Sequence, residues 1–421
     1  MTRRLLAALF TALCLVLIAS VPATAQQPET ACPNKTTPPP PVDTSENPKP
    51  GQQPPAALAV PDKPAGGPRM AECGVIAPSG AAAPPADVTP ASWVLADLDS
   101  GEVLGAKDPH ARQRPASLIK VLLAIVVLNE LDMNTVVTGT QEDANQDGTR
   151  VGIGPGGQYT VKQLFFSLLM KSGNDCAHAL AMQLGGVQQT LDKMNVTAKK
   201  LGALDTRAAT PSGLDGPGMT SSAYDLVLLY REAMKRPEFA EAIATRQIDL
   251  PGYGTKPGFK VNNDNRLLGT FPGFLGGKTG FTDDARHTYL GGAKQGDRKL
   301  VVVLLRGEQT PVKLADQGAK LFKWGAGLAK GAQVGSLDTL PEPTKVPPPT
   351  TFTVGPGGSA IVTLPNNGSG ALPLIAMSVS AVTVLGFLIW RVRRRFAQPP
   401  GLVRPDQPDP DQTRQLPRLR D

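Results

Sequence analysis

The chain has 421 residues, of which 42 are prolines, and a formal net charge of +7 at pH 7. Arg3 and Arg4 contribute +2, and the segment after Trp390 contributes +4 from eight arginines and four aspartates, so the part between them carries only +1. A near-neutral central block has no electrostatic footprint for DNA or RNA, and this excludes a nucleic-acid partner.

The N-terminus predicts a secretory signal peptide over residues 1–25. Two arginines precede the apolar run LLAALFTALCLVLIA, and the small residues ATA at 23–25 provide a cleavage site. The alternative is a membrane anchor that is retained. Residues 26–87 then predict an extended or disordered linker. Seventeen prolines fall within residues 26–90, and such a segment buries too little apolar surface to offset its ordering entropy.

Residues 88–330 have ordinary globular composition and predict an α+β domain. β-Hairpins are predicted at 92–108, with a turn at Asp99-Ser100-Gly101, and at 286–307, with a Gly-Asp turn. The helices predicted between them begin with a strongly apolar one from Ser117 to about Leu131 and continue at 160–171 and about 175–184. Amphipathic helices follow, and a last helix closes the block. This order indicates an antiparallel sheet with helices on both sides and an inserted helical cluster.

The C-terminal part predicts a membrane anchor. Residues 331–371 are rich in proline and glycine and predict a stalk. Residues 372–390 are uncharged over 19 positions, long enough for a transmembrane helix, and the arginines that follow place residues 391–421 in the cytoplasm. The alternative is a buried core helix. The predicted location is therefore the cell membrane, with the 88–330 domain on the extracytoplasmic side.

Three cysteines remain after the signal peptide: Cys32, Cys73 and Cys176. Export permits a disulfide, and Cys32 and Cys73 bracket a proline-rich loop, but the sequence leaves their pairing open. If they pair, Cys176 is a free, buried thiol. The cysteines and the three histidines show no metal-ligand spacing, so neither a metal nor another cofactor is predicted.

The first candidate motif is Ser117-x-x-Lys120 at the start of the apolar helix. Residues three apart share a helix face, so the lysine nitrogen lies beside the serine hydroxyl. A lysine whose pKa is lowered by burial and by a nearby cation is able to take the serine proton and activate a weak nucleophile. The alternative is an N-cap serine with a lysine that snorkels to solvent.

Two further motifs follow. Ser172-Gly173-Asn174 lies between two predicted helices and offers a hydroxyl for proton relay and an amide that both donates and accepts. Its alternative is a polar helix cap. Lys278-Thr279-Gly280 is flanked by glycines, which predicts an edge strand that another molecule approaches closely. Lys278 and Thr279 are candidates to hold a carboxylate. The alternative is an exposed glycine-rich loop, but a phosphate-binding loop is excluded by the spacing.

The order Ser-x-x-Lys, Ser-x-Asn, Lys-Thr-Gly in one exported domain resembles penicillin-binding proteins and serine β-lactamases. The stretches RPASLIKVLLAI, GQYTVKQLFFSLLMKSGNDCAHALA and NDNRLLGTFPGFLGGKTGFTDDA are similar to the serine D-alanyl-D-alanine carboxypeptidases, the low-molecular-mass penicillin-binding proteins. This resemblance covers about residues 92–310. It implies a β-lactamase/transpeptidase-like domain that removes the terminal D-Ala of peptidoglycan pentapeptides during cell-wall maturation.

The resemblance also implies the roles of the site residues. Ser117 would be acylated and Lys120 would be its base. Ser172 and Asn174 would relay protons and contact the substrate amide. The substrate-binding residues would be Lys278, Thr279, Gly280 and Phe281, with the backbone N–H groups of Ser117 and Phe281 as oxyanion hole. Peptidoglycan stem peptides would be substrates and β-lactams covalent inhibitors, and no cofactor would be required.

Two positions depart from the family pattern: Ser212 and Phe281 stand where relatives often have histidine. Three rival functions remain. A class A β-lactamase would need a deacylating glutamate downstream of the second motif, and none occurs between Glu142 and Glu232. A transpeptidase would pass the acyl group to an amine. A non-catalytic wall-binding module would lack the nucleophile or the lysines. Beyond the third motif, Arg286 is a candidate for carboxylate binding, or simply a solvated residue.

Overall fold

The computed structural model describes residues 32–339 and two short strands at 353–354 and 360–361. The predicted signal peptide, transmembrane helix and cytoplasmic tail lie outside the described residues, as does most of the predicted stalk. Within the described residues, none of the helices combines the length and the apolar character needed to cross a bilayer.

The described part of the chain contains the following strands, numbered in chain order: β1 Val75–Ile76, β2 Ser92–Asp97, β3 Glu102–Lys107, β4 Val136–Thr138, β5 Gln158–Thr160, β6 Gln247–Leu250, β7 Phe259–Asn262, β8 Phe274–Thr282, β9 Arg286–Gln295, β10 Arg298–Gly307, β11 Gly335–Ser336, β12 Thr353–Val354 and β13 Ala360–Ile361. Seven of them form one antiparallel sheet in the order β1-β3-β2-β10-β9-β8, with β11 beside β3. The pairs β4–β5 and β6–β7 are separate ribbons, and β12–β13 is a ribbon in a second compact unit of the chain.

The α-helices described are α1 Lys120–Glu130, α2 Gln141–Ala144, α3 Val161–Met170, α4 Asn174–Gln183, α5 Val187–Lys200, α6 Ala223–Ala233, α7 Pro237–Ala244 and α8 Leu314–Ala326. Two 3₁₀ turns, Pro68–Ala71 and Ala116–Ile119, precede β1 and α1. Both predicted hairpins form, as β2–β3 and β9–β10; helices α1 to α7 lie between them in the chain, and α8 follows the second hairpin. The α+β class and the antiparallel sheet are confirmed.

Helices cover both faces of the sheet. β10 carries the apolar run LVVVLL over residues 300–305, and every residue of that run is buried. Val301 and Val303 belong to the core that contains helices α1 and α6, whereas Val302 and Leu304 belong to a second core with Phe322 of α8. Because both faces are covered, this strand shows no polar alternation.

Helix α1 is buried from Lys120 to Leu128. An apolar helix of this kind is stabilised by packing on all sides rather than by an amphipathic face. It contacts α4, α5 and α6, so its first turn lies deep inside the domain. Lys120 of the Ser-x-x-Lys motif is therefore buried inside the domain, whereas Ser117 is only partly buried.

Two short strands of the sheet lie outside the predicted 88–330 domain. β1 comes from the predicted linker, residues 26–87, in which Cys32 also forms a disulfide with Cys73. β11 likewise joins the sheet from the predicted stalk. Cys176 is free and buried, as expected for a chain in which the other two cysteines pair.

The proline-rich segment orders without an apolar core of its own. Proline has a fixed φ, so the unfolded segment has less conformational entropy to lose. The disulfide closes a loop of 41 residues and lowers that entropy further. The segment makes few backbone hydrogen bonds to itself, and its free carbonyls accept bonds from arginines of the domain, such as Arg112. Composition alone does not reveal this pairing.

Replacing both Cys32 and Cys73 by serine should lower the free energy of unfolding by roughly 2–4 kcal/mol, because the unfolded chain regains the entropy of the open loop. Denaturant titration of the oxidised wild type and the double variant measures the difference. Replacement of the free Cys176 by serine, which leaves the bridge intact, separates loss of the bridge from loss of a thiol. Equal midpoints for the oxidised and reduced wild type would contradict the expectation.

Candidate active site

Ser117 lies in the 3₁₀ turn Ala116–Ile119, and α1 begins at Lys120. Ser117 is not a cap, since no side-chain capping bond is present at the start of either helix. The residue before it, Ala116, is buried and has φ of 48°, a left-handed conformation that costs energy for any residue with a Cβ. Such strain persists only where the surroundings impose it. The nucleophile turn, residues 114–117, is thus held by its neighbours.

The Lys120 side chain does not snorkel, because it is fully buried. Its Nζ lies 3.0 Å from Ser117 Oγ and 2.8 Å from Asn174 Oδ1, and it also contacts the carbonyl oxygen of Ser212. These partners come from three separate parts of the chain. The first two sequence motifs therefore meet at one nitrogen.

The environment of Lys120 favours the neutral amine. Burial holds the pKa of Lys120 well below its usual value, and the positive charge of Lys278 lowers that pKa further. A neutral amine has two N–H donors and one lone pair. Asn174 Oδ1 and the Ser212 carbonyl can only accept, so they take the two donors, and the lone pair faces the Ser117 hydroxyl. This arrangement is that of a general base with its nucleophile.

The second motif lies between α3 and α4. Ser172 is buried, has φ of 65° and lines the cleft beside Ser117. Asn174 begins α4, accepts from Lys120 and donates through Nδ2 to the Asp147 carbonyl at 2.6 Å. Asn174 thus links the base to the loop that borders the cleft.

The third motif lies on β8, which is the edge strand of the sheet, as the flanking glycines predicted. Lys278 is almost fully buried and donates to the carbonyl of Thr279 at 2.7 Å. Burial lowers the pKa of Lys278 to about 8. The Thr279 hydroxyl donates to Asp264 Oδ1 at 3.3 Å. Lys278 is not hydrogen-bonded to Lys120, and it acts on that residue through its charge.

Two glycines allow the strands and loops to approach the nucleophile turn. A Cβ on Gly280 would lie 2.9 Å from Ser117 N, and one on Gly213 would lie 2.1 Å from the carbonyl oxygen of Ala116. Gly213 also has φ of 88°, which a residue with a Cβ rarely adopts. Any side chain at these positions would push the third motif or the 210–215 loop away from Ser117.

The side chain of Phe281 is half exposed where β8 borders the cleft. It is 48% exposed, and its ring lies 4.5 Å from the ring of His287. Arg286 lies over the same ring and pairs with Glu308 at 2.9 Å. Arg286 is therefore engaged outside the cleft rather than aimed at a substrate carboxylate. The candidate contribution of Phe281 to the oxyanion hole is its backbone N–H group.

An open cleft joins the three motifs. Its described lining includes residues from all of them and from the neighbouring loops: Ser117, Gly148, Thr149, Ser172, Asn174, Gly213, Leu214, Asp264, Arg266, Thr279, Gly280 and Phe281. The cleft runs along the edge strand β8. An extended peptide laid against that edge would bring its carbonyl to Ser117.

Sequence reasoning missed three contributors. Ser212 was singled out only as a departure from the family histidine. Its carbonyl contact with Lys120 was missed because a backbone acceptor has no sequence signature. Asp264 was not singled out. Asp175 follows the second motif directly and accepts bonds from the N–H groups of Val151 and Gly152, at 3.0 and 2.7 Å, which holds the loop bordering the cleft. A buried acid next to Ser-x-Asn is a signal that could have been found.

Each candidate ligand cluster among the described residues contains groups that already have protein partners. Cys32 and Cys73 form the disulfide. In a second cluster, His110 is bonded to Asp205 at 2.7 Å and to the Ala65 carbonyl at 3.0 Å. In a third cluster, of Glu46, Asp215 and Asp284, Glu46 is bonded through both carboxylate oxygens to Arg114.

Cys176 is not a candidate nucleophile. It is fully buried beneath the second motif, and burial raises the pKa of its thiol well above the usual value, which leaves the thiolate unpopulated. The described cleft therefore offers Ser117 as the nucleophile that lies next to a base.

Known proteins share this arrangement of sequence and fold. D-alanyl-D-alanine carboxypeptidase DacB2 of Mycobacterium tuberculosis is 45% identical over 250 residues, which cover 58% of this chain and 85% of that protein. DacF of Bacillus subtilis is 32% identical over 237 residues, which cover 55% of this chain and 60% of DacF. A crystal structure of a D-alanyl-D-alanine carboxypeptidase from M. tuberculosis matches with a TM-score of 0.60 at 44% identity, over 62% of this chain and 99% of that one.

The pattern of the D-alanyl-D-alanine carboxypeptidase family, peptidase family S11, matches residues 79–309, which is more than half of the chain. The match includes all three motifs. The chain belongs to this family.

Proposed function

We propose that this protein is a serine D,D-carboxypeptidase that removes the terminal D-Ala from peptidoglycan pentapeptides through an acyl-enzyme on Ser117. The observation that carries the proposal is the environment of Lys120. A fully buried lysine with two acceptor-only partners and a serine hydroxyl at 3.0 Å is poised to accept the proton of that hydroxyl. Family membership supports the same reaction.

Acylation begins when the Ser117 oxygen attacks the carbonyl of the penultimate D-Ala. Lys120 takes the hydroxyl proton, and the backbone N–H groups of Ser117 and Phe281 stabilise the negative charge on the carbonyl oxygen. The C–N bond then breaks, the leaving amine receives a proton through Ser172 or Lys120, and free D-Ala departs. An ester links the shortened peptide to Ser117.

Deacylation uses the same groups in the reverse order. Water loses a proton to Lys120 and attacks the ester carbonyl, and the proton returns to Ser117 as the ester bond breaks. The terminal carboxylate of the substrate is held in the first step by Lys278 and Thr279. For this the substrate replaces Asp264 as the partner of the Thr279 hydroxyl. A β-lactam presents a carboxylate and a strained amide to the same groups, so it acylates Ser117.

Water is the expected acyl acceptor. The described cleft is open along β8, so solvent reaches Ser117. The glutamate that deacylates class A β-lactamases has no counterpart, since Glu142 is the last glutamate before Glu232 and its side chain is 73% exposed. Transfer to an amine instead of water is the second candidate, and the product of the reaction distinguishes the two.

The proposal includes export and anchoring. Residues 1–25 have the pattern of a signal peptide, and residues 372–390 have the length and composition of a transmembrane helix. The Cys32–Cys73 disulfide supports an oxidising, extracytoplasmic location. In that location the catalytic domain reaches wall precursors while the chain stays attached to the membrane.

Purified full-length protein should release D-alanine from a pentapeptide ending in D-Ala-D-Ala. Ser117→Ala should release none, because no nucleophile remains. Lys120→Met should lose about 10²–10⁴-fold in kcat/KM, the usual contribution of a general base. Cys176→Ser, a conservative change in the same core, is the matched control and should stay within a few-fold of wild type. Folded wild-type protein that releases no D-alanine would overturn the proposed function.

The pH dependence of kcat/KM should follow the two lysines. On the acid side, activity should rise with pH as Lys120 loses its proton. On the alkaline side, activity should fall as Lys278, with a pKa of about 8, loses the charge that holds the substrate carboxylate. Lys278→Arg keeps that charge at higher pH, so the alkaline decrease in kcat/KM should shift to higher pH or disappear. An alkaline limb unchanged in Lys278→Arg would show that another group titrates there.

A chain that ends at residue 371 should appear in the culture medium, whereas the full chain should stay in the membrane fraction. The predicted anchor, residues 372–390, is then missing while the described catalytic residues are retained. Cell fractionation followed by labelling with a fluorescent penicillin measures the distribution. A truncated protein that remains in the membrane fraction would point to a retained N-terminal anchor.

A further inference from the structure

Residues 32–60, here called the strap, run over the surface of the domain and lie outside the region matched by the family pattern, which begins at residue 79. The Cys32–Cys73 disulfide fixes one end of the strap. Arg207 Nη2 donates to the Ala56 carbonyl at 2.7 Å near the other end. The strap is therefore attached at both ends and passes close to the nucleophile between them.

Two buried arginines of the segment that leads to Ser117 bind the strap. Arg112 is 1% exposed and donates to the carbonyls of Thr36, Leu58 and Ala59 at 2.6–2.8 Å. Each of these bonds uses a carbonyl that the proline-rich strap leaves without a backbone partner. Arg112 therefore holds the two ends of the strap together against the domain.

Arg114 makes the contact nearest to the nucleophile. It is 2% exposed, and its guanidinium pairs with both carboxylate oxygens of Glu46 at 2.5 and 2.7 Å. Its Nη1 donates to the Pro39 carbonyl at 2.7 Å. A bidentate arginine–carboxylate pair fixes the orientation of both side chains. Glu46 and Pro39 thus fix a side chain three residues before Ser117.

The same arginine reaches the turn after the third motif. Asp284, which follows β8, lies 3.9 Å from Arg114 Nε and accepts from the backbone N–H of Val42 at 2.5 Å. Its second carboxylate oxygen is buried and has no hydrogen-bond partner in the described part of the chain. The strap therefore joins the nucleophile turn to the turn that follows Lys278-Thr279-Gly280.

The nucleophile turn needs such support because Ala116 is strained, with φ of 48°. A strained backbone relaxes when the groups that hold it are removed. The domain itself holds the turn through Thr288, whose hydroxyl donates to the Pro115 carbonyl at 3.0 Å. Glu46 neutralises Arg114, and without Glu46 the buried guanidinium would keep the neutral Pro39 carbonyl and the longer contact with Asp284. Arg114 would then move and take the turn with it.

We propose that the strap is a positioning element of the active site, in which Glu46 fixes Arg114 and Arg114 holds Ser117 in line with Lys120. The inference rests on the proposed function in one respect, which is that D-alanine release and acylation of Ser117 are the reactions used to measure the effect of the strap. Glu46 touches no reacting atom and is a positioning residue. Since a misplacement of about 1 Å can cost on the order of 10²-fold in rate, loss of the contact should lower the rate of acylation more than it lowers substrate binding.

The test compares Glu46→Gln with wild type in the full-length protein. Glutamine keeps the shape of glutamate but removes its charge. We expect kcat for D-alanine release, and the rate of acylation by a fluorescent penicillin, to fall about tenfold or more, with KM changed less than threefold. Glu46→Asp, which keeps the charge, should recover part of the lost rate. Glu72→Gln is the matched control, because Glu72 lies within the same disulfide-closed loop but pairs with the exposed Arg69.

Arg114→Lys provides a second arm, since lysine keeps the charge but loses the bidentate geometry. If Glu46 acts through Arg114, the double variant Glu46→Gln/Arg114→Lys should be no slower than the slower single variant. Acylation is compared at a temperature where circular dichroism shows each variant fully folded. This separates a positioning effect from a loss of stability.

The outcomes distinguish this inference from the proposed function. Wild-type protein that releases D-alanine, with Glu46→Gln equal to it in kcat and in acylation rate, would overturn the strap inference alone. Wild-type protein that is acylated by penicillin but releases no D-alanine would overturn the carboxypeptidase, and the acylation rates would still decide the role of the strap. Equal losses in Glu46→Gln and Glu72→Gln would assign the effect to the loop as a whole and reject the Glu46–Arg114 contact as its cause.

Discussion

A lysine side chain without contact to solvent is the constraint around which this domain is organised. Lys120 begins a helix that is buried from Lys120 to Leu128, and its nitrogen meets Ser117, Asn174 and the Ser212 carbonyl. Burial makes the charged form costly, so the lysine becomes a base at a pH where an exposed lysine would be an acid. The same burial would destabilise the protein if the nitrogen lacked partners. Each partner therefore serves both stability and chemistry.

The constraint on Lys120 extends to the elements around it. Its partners lie on three elements: Ser117 in the 3₁₀ turn before α1, Asn174 at the start of α4, and Ser212 in a loop. The positions of these elements relative to one another have to be fixed. Gly213 and Gly280 allow their backbones to lie close to the nucleophile turn, and the carboxylate of Asp175 binds the loop beside the cleft. Lys278 supplies a second cation that stays charged below a pH of about 8 while it lowers the pKa of Lys120. Lys120 thus favours the neutral form of a base, whereas Lys278 serves as a cation, because the surroundings of the two side chains differ.

The strap adds an outer layer to this arrangement. A proline-rich segment has little apolar surface, yet it has many carbonyls without backbone partners. Arg112 and Arg114 donate to those carbonyls and to Glu46, which supply acceptors for their buried guanidinium groups. The disulfide restricts the unfolded segment, so less conformational entropy is lost when the segment orders against the domain. In this way a segment outside the matched family region comes to lie against the residues that precede the nucleophile.

Local sequence was enough to predict the two hairpins, the apolar helix and the three motifs, because hydrophobic period and turn residues act over a few positions. It also indicated the roles of Ser117 and Lys120 through the resemblance to a family. It did not reveal the Ser212 carbonyl or the Glu46–Arg114 pair, since a backbone acceptor has no side-chain signature and an ion pair 68 residues apart leaves no local pattern. It did not reveal the β1–β3 pairing and the arginine contacts of the predicted linker, because composition reports only what a segment buries by itself. Tertiary structure decided these points, since a residue's partners, and with them its pKa, are set by what folds against it.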